Sequence, residues 1–259
     1  MIRAVIFDYG GTLVQPWEPW TEVVRPKAIA AAYADLVRRG LKLSLEKFID
    51  LNKAVFREYS ELELRQNRDI PDIEKYDRLI VQLFPNHSEV WQKRTAGEAN
   101  MAFWKVATTN YHPAKGARRC LTKLKAMGIK MAVVSNHHNH EALVRHLDSL
   151  GLDGFFVRIF SSSKVGFRKP DPRIFEKCLS TLKVDRSEAI YVGDSIDYDV
   201  AGARAAGMRC IRVDAGSVES TGSPHKRGSK SRLRPRPVKA DFKVKTLGEI
   251  PRIVGQLNS

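Results

Sequence analysis

Short apolar runs that each stop at a polar residue recur along this chain and leave few folds open to it. Residues 2–8 read Ile-Arg-Ala-Val-Ile-Phe-Asp and run into Gly10-Gly11. Residues 131–136 end in Ser-Asn, 157–160 lead into a serine run, 189–194 end in Gly-Asp, and 210–214 end in Asp. A last run, 240–244, reads as an edge strand. Strands covered on both faces appear as continuous apolar stretches rather than as strict alternation. Helical spacings separate them: Ala117, Leu121, Leu124 and Met127 before Gly128, then Leu143, Leu147 and Leu150 before Gly151. Pro172 opens a helix carrying Ile174, Phe175, Cys178 and Leu182, and 198–206 closes at Gly207. Alternation of this kind predicts an α/β fold, a doubly wound and mostly parallel sheet with helices on both faces. Ligands in such folds bind outside the carboxyl ends of the strands, where the polar residues of this chain fall.

Residues 15–112 interrupt the pattern. Their periodicity is helical over 27–39, 44–66, 72–84 and 88–107, which predicts a helical insertion after the first strand. The expected organisation is a core of 1–14 and 113–259 with a helical cap at 15–112. Within the core, 216–239 is rich in Gly, Ser, Pro, Lys and Arg and reads as a flexible basic loop.

Net charge is +15, and 224–239 holds seven Lys or Arg and no acid. Such charge favours anionic partners without specifying a fold. The basic segment lacks an aromatic residue for base stacking, so any nucleic-acid contact there is expected to be weak and phosphate-directed. No segment has the roughly 20 apolar residues needed to span a bilayer, and the N-terminus reads as a strand rather than a signal peptide; a cytoplasmic location is expected. Cys120, Cys178 and Cys210 are too few and scattered for a disulfide framework and read as small buried hydrophobes. Oligomeric state is not legible.

Four pieces carry the chemistry, in order: FDYGGT (7–12), VSN (134–136), GFRKPDPRIFE (166–176) and GDSIDYDVAGARAAGM (193–208). Asp8 is a strand-end carboxylate beside glycines that let the backbone approach a ligand. Thr12 and Ser135 offer hydroxyl donors, Asn136 a positioning amide, and Lys169 a cation. Taken singly, each has a bland reading: strand-end Asp and Ser residues cap turns and helices, Asn136 can cap the next helix, and Asp197 and Asp199 suit the first turn of a helix. Together and in order, the four pieces resemble the motifs of the haloacid dehalogenase superfamily, in the branch with a helical cap after the first strand. The resemblance implies a Mg²⁺-dependent hydrolase in which Asp8 attacks a phosphorylated substrate and forms an aspartyl-phosphate. It implies that Thr12, Ser135 and Lys169 are catalytic and bind the phosphoryl group of the substrate, and that Asn136 positions the substrate. Asp8, the Gly10 carbonyl and Asp194 would hold Mg²⁺, with Asp199 supporting the metal or Lys169.

One position departs from that pattern. Phosphatases of the superfamily usually carry a second Asp, a general acid and base, two residues after the nucleophile; here the residue is Gly10. Three expectations follow. The chain is a phosphatase of substrates with good leaving groups or with another acid, it does non-phosphatase chemistry of the dehalogenase or phosphonatase type, or it binds phospho-ligands or nucleic acid with little turnover. The run His137-His138-Asn139-His140 borders the same pocket and is the nearest titratable substitute; its bland reading is an exposed polar loop. Trp17 and Trp20 read as hinge packing or as entrance residues, and Arg25, Arg57, Arg65 and Arg68 as a solvated face or as contacts to an anionic substrate.

Overall fold

The computed structural model describes residues 1–66, 68–214 and 238–259. The expected basic loop, 216–239, therefore lies outside the described residues apart from 238 and 239.

A six-stranded sheet forms the centre, built from β1 (Ala4–Phe7), β4 (Lys130–Ser135), β5 (Arg158–Ser161), β6 (Ala189–Gly193), β7 (Arg209–Val213) and β8 (Phe242–Val244). The order is β5-β4-β1-β6-β7-β8, and every pairing is parallel. Strand β1 is fully buried, and its side chains alternate between two cores, as the period of two requires. Val5 and Phe7 pack with Met131, Val133, Ile190 and Val192 on one face. Helices α5 (Ala117–Ala126), α6 (His140–Ser149) and α10 (Ile250–Asn258) cover that face through Leu121, Leu124, Leu143, Leu147, Ile253 and Val254. Ala4 and Ile6 face the other way, against Ala132, Val134 and Tyr191, under α8 (Pro172–Leu182) and α9 (Ala201–Ala205). Each fully buried Leu, Ile or Phe in these layers contributes about 1.5–3 kcal/mol.

The chain moves from β1 to β4 and β5 on one side, then returns to β6, β7 and β8 on the other. That reversal opens a crevice at the carboxyl ends of β1, β4 and β6, which is where doubly wound sheets bind ligands.

The 15–112 stretch is helical: α1 (Arg25–Arg38), α2 (Leu45–Gln66), α3 (Asp72–Leu83) and α4 (Glu89–Thr109). They share a separate apolar cluster in which Ala28, Ala32 and Leu36 meet Leu79, Ile80, Ala96, Ala99 and Phe103. Small residues on α1 and α4 let these helices approach closely. The chain enters and leaves this segment through an antiparallel ribbon, β2 (Val14–Pro16) on β3 (Tyr111–Pro113). Two three-residue strands give almost no periodicity, so the sequence does not announce the ribbon. The three cysteines are free and buried. Among the described residues, no helix is long and apolar enough to cross a membrane.

Candidate active site

Asp8 follows β1, Ser135 ends β4, and Asp194 follows β6, so three adjacent parallel strands deliver these side chains to one edge. Lys169 reaches the same point from the loop before α8. Its ammonium donates to Asp8 Oδ1 at 2.6 Å, to Asp199 Oδ1 at 2.6 Å and to the Tyr191 hydroxyl at 2.9 Å. All three of its N–H groups are thereby used, which a cation only 2% exposed requires. Burial works against the charge, but the carboxylates of Asp199 and Asp8 outweigh it and hold the Lys169 pKa above the ordinary lysine value.

Asp199 is committed to scaffolding. Oδ1 accepts from Lys169, and Oδ2 accepts from the backbone N–H groups of Asp194 (3.1 Å) and Ser195 (2.9 Å). This is why Gly193 has no side chain: a Cβ there would lie 2.4 Å from the Asp199 carboxyl carbon. Gly11 meets the same demand on the other side. Its φ is +84°, and a Cβ would fall 2.7 Å from Asp194 Oδ2, so the first loop turns left-handed and lies against the second carboxylate.

The remaining expected residues occupy distinct places. Ser135, Gly10, Asn136 and Asp194 line the cavity at the strand ends, together with Asp8 and Lys169. Asn136 does not cap α6; Asn139 does, accepting from the Ala142 N–H. The Asn136 amide instead grips the Lys169 backbone from both sides, accepting from its N–H at 2.8 Å and donating to its carbonyl at 3.0 Å. Thr12 is placed differently from the expectation of a phosphoryl donor. It is fully buried, and its hydroxyl donates to Asp194 Oδ1 at 3.3 Å.

Asp8, Asp194 and Asp199 bring one oxygen each within 4.8 Å of one another. Burial drives the Asp8 pKa up to about 8, against the pull of Lys169, with Asp199 and Asp194 adding to the rise. Asp194 rises to about 6 through burial and the proximity of Asp199, again against Lys169. Three carboxylates face one ammonium, so the site carries negative charge that a cation would neutralise. An all-oxygen donor set of this kind fits a hard divalent metal.

Within the histidine run, His137 is not a proton donor near neutral pH. His137 is only 8% exposed, 4.4 Å from the Trp104 ring and edge-on to Tyr9. Burial, then the proximity of His138, lowers its pKa to about 3, so it is a neutral packing group near pH 7. His140 is also lowered, by burial and Lys164. Gly10 has open space where a side chain would start, with nothing within 4 Å of a built Cβ.

The cavity has a volume of about 800 Å³. Its wall opposite the sheet comes from the helical segment and includes Trp20, Arg25, Arg57, Phe103 and Trp104. Trp20 stacks on Trp104, whereas Trp17 is exposed and packs on His112 at the ribbon. Arg65 and Arg68 instead pair on the surface with Glu61 and Glu74. Tyr191, the third acceptor for Lys169, escaped sequence reasoning. The available signal was a tyrosine in a strand buried on both faces, whose hydroxyl must find a partner.

The haloacid dehalogenase-like hydrolase family model matches residues 2–207, and the chain belongs to that family of hydrolases. It is 29% identical over 230 residues to the glyceraldehyde 3-phosphate phosphatase of Methanopyrus kandleri, covering 85% of this chain and 87% of that protein. It is 24% identical over 254 residues to the ribulose-1,5-bisphosphate 5-phosphatase of Halopiger xanaduensis, covering 98% of this chain and all of that protein. Among solved structures, the 2-haloacid dehalogenase of Pseudomonas syringae pv. Tomato DC3000 shares its fold with a TM-score of 0.69 at 22% identity, over 99% of this chain and all of that one.

Proposed function

We propose that this chain is a Mg²⁺-dependent phosphatase of a small phosphorylated metabolite, with residues 1–14 and 113–259 as the catalytic core and 15–112 as a cap over the strand ends. The observation that carries the reading is the joint placement of Asp8, Asp194 and Asp199 around the buried Lys169 ammonium. The acidic set separates this reading from dehalogenase chemistry, which needs no metal. The phosphatase relatives support a phosphorylated substrate, and the cavity volume matches a small molecule.

Asp8, Asp194 and the Gly10 carbonyl would hold Mg²⁺, which supplies positive charge to the phosphoryl oxygens and keeps Asp8 ionised. Asp8 attacks phosphorus through a carboxylate oxygen, forming the aspartyl-phosphate as the bond from phosphorus to the leaving oxygen breaks. Lys169 offsets charge on Asp8 and on the phosphoryl group, and the Ser135 hydroxyl donates to a phosphoryl oxygen. Thr12 orients Asp194, Asn136 fixes Lys169, and Asp199 holds both the Lys169 ammonium and the 194–195 turn. Water then attacks phosphorus, releasing phosphate and restoring the carboxylate. In this reading the proton for the leaving oxygen comes from solvent, because Gly10 carries no acid, His137 is neutral and His138 Nδ1 faces Asp69. Loss of a general acid costs roughly 10²–10⁴-fold, so aryl, acyl and anomeric phosphates are favoured over alkyl phosphates.

Hydrolysis of p-nitrophenyl phosphate tests the reading, because its leaving group needs little protonation. Turnover should require Mg²⁺, stop with EDTA and vanish in Asp194→Asn. Absence of turnover with every metal and phosphate ester tried would favour the alternative, a phospho-ligand binding protein.

A further inference from the structure

A second cluster, separate from the Asp8 set, lies where the helical segment meets the core. Glu63 sits near the end of α2, Asp69 in the link to α3, and His138 between β4 and α6. Ligand atoms of the three lie within 4.8 Å of one another. Asp69 is 1% exposed and Glu63 6%. Among the described residues, both Asp69 carboxylate oxygens, Glu63 Oε2 and His138 Nδ1 lack a hydrogen-bond partner. His138 Nδ1 stands 3.4 Å from Asp69 Oδ1. Buried polar atoms without partners are rare and costly, about 1–3 kcal/mol each and more when charged. Here those atoms belong to the three residues that converge.

The surroundings are built to hold them. Glu63 Oε1 accepts from the Ile70 N–H and pairs with the buried Lys75, both at 3.1 Å, which fixes the carboxylate and leaves Oε2 free. Lys75 also pairs with Asp72 at 3.1 Å. Backbone bonds tie the link to the core, from Asp69 N–H to the Gly166 carbonyl and from Asp72 N–H to the His138 carbonyl, each at 3.0 Å. Arg168 approaches Asp69 at 3.7 Å. Glu63, Asp69 and Asp72 thus outnumber Lys75 and Arg168, and Arg168 stands beyond hydrogen-bond distance of Asp69 Oδ1.

We propose that Glu63, Asp69 and His138 form a second divalent-cation site that clamps the helical segment onto the core beside the cavity. Two carboxylates and an imidazole select zinc or manganese over magnesium, because the nitrogen ligand disfavours hard oxygen-seeking ions. Three protein ligands leave a coordination position open. Glu63, His138 and Arg168 also line the cavity wall, so the clamp would fix part of the surface that a substrate meets. This inference does not depend on the phosphatase reading.

Zinc is the probe. Zn²⁺ binding would be followed by equilibrium dialysis with elemental analysis, in excess Mg²⁺ and in the Asp194→Asn protein, where the Asp8 cluster is disabled. One Zn²⁺ per chain should bind in both settings and raise the thermal midpoint. His138→Gln and Asp69→Asn should each weaken Zn²⁺ more than about tenfold, the lower end of what losing even a supporting contact costs, and abolish the rise in midpoint. Co²⁺ in the Asp194→Asn protein should give a visible absorption band that His138→Gln removes. His138 is part-exposed, so its variant decides the matter if Asp69→Asn fails to fold. No stoichiometric Zn²⁺ in Asp194→Asn, or binding unchanged by His138→Gln, would overturn the proposal.

Discussion

Replacing Asp8, the proposed nucleophile, should make the metal-free protein more stable, not less. The folded Asp8 pKa stands at about 8 against an ordinary value of 3.8, so the native state holds this proton far more tightly than the unfolded chain. For an acid with a raised pKa, stability falls as pH climbs from about 4 to 8, because the unfolded state gains more by ionising. Near pH 7 the gap is roughly three units, or about 4 kcal/mol at about 1.4 kcal/mol per unit. Asn keeps the shape, leaves an oxygen for the Lys169 ammonium and cannot ionise. Some of the gain is lost because the amide accepts more weakly than a carboxylate. A net 2–4 kcal/mol remains, a rise of roughly 5–15 °C in melting temperature for a chain of this size. Thermal melts in EDTA at pH 5, 6, 7 and 8 should show the Asp8→Asn advantage growing with pH. Mg²⁺ should shrink it, since the cation stabilises the ionised site of the wild type in proportion to its affinity. An Asp8→Asn protein that melts at or below the wild type in EDTA at pH 8 would refute the account of the site as an acid cluster awaiting a cation.

Gly10→Asp should fit, since open space surrounds the position where its Cβ would stand; its alkyl phosphatase rate should rise about 10–100-fold, with little change on p-nitrophenyl phosphate. Asn136→Ala removes both hydrogen bonds to the Lys169 backbone and should lower kcat about tenfold or more at nearly constant KM, measured in steady-state assays. Thr12→Val loses the donor to Asp194 and should weaken Mg²⁺ activation about 10-fold, read as a higher Mg²⁺ concentration at half-maximal rate.

The sheet was legible because its strands are buried on both faces and each stops at a polar residue. Asp8, Ser135 and Asp194 followed from that punctuation, and their meeting at one edge follows from the parallel order. The helical stretch showed through its periodicity, but its joint did not, because the β2–β3 ribbon is too short to leave a pattern. Roles set by three-dimensional pairing were hidden as well. Nothing local says that the Thr12 hydroxyl turns to Asp194 or that Tyr191 completes the shell of Lys169. The histidine run looked like an exposed polar loop or a proton source, yet Trp104 and Tyr9 bury His137 from other parts of the chain. The Glu63–Asp69–His138 cluster spans residues 63–138 of the sequence and could not be assembled without the fold.

The covalent step at Asp8 is tested most directly by rapid quenching in acid during turnover of a phosphate ester with Mg²⁺, followed by mass spectrometry of the peptides. The account predicts one added phosphoryl group on the peptide containing Asp8, absent with EDTA and absent in Asp8→Asn. Sustained turnover in Asp8→Asn, or a phosphoryl group carried on a different residue, would contradict it.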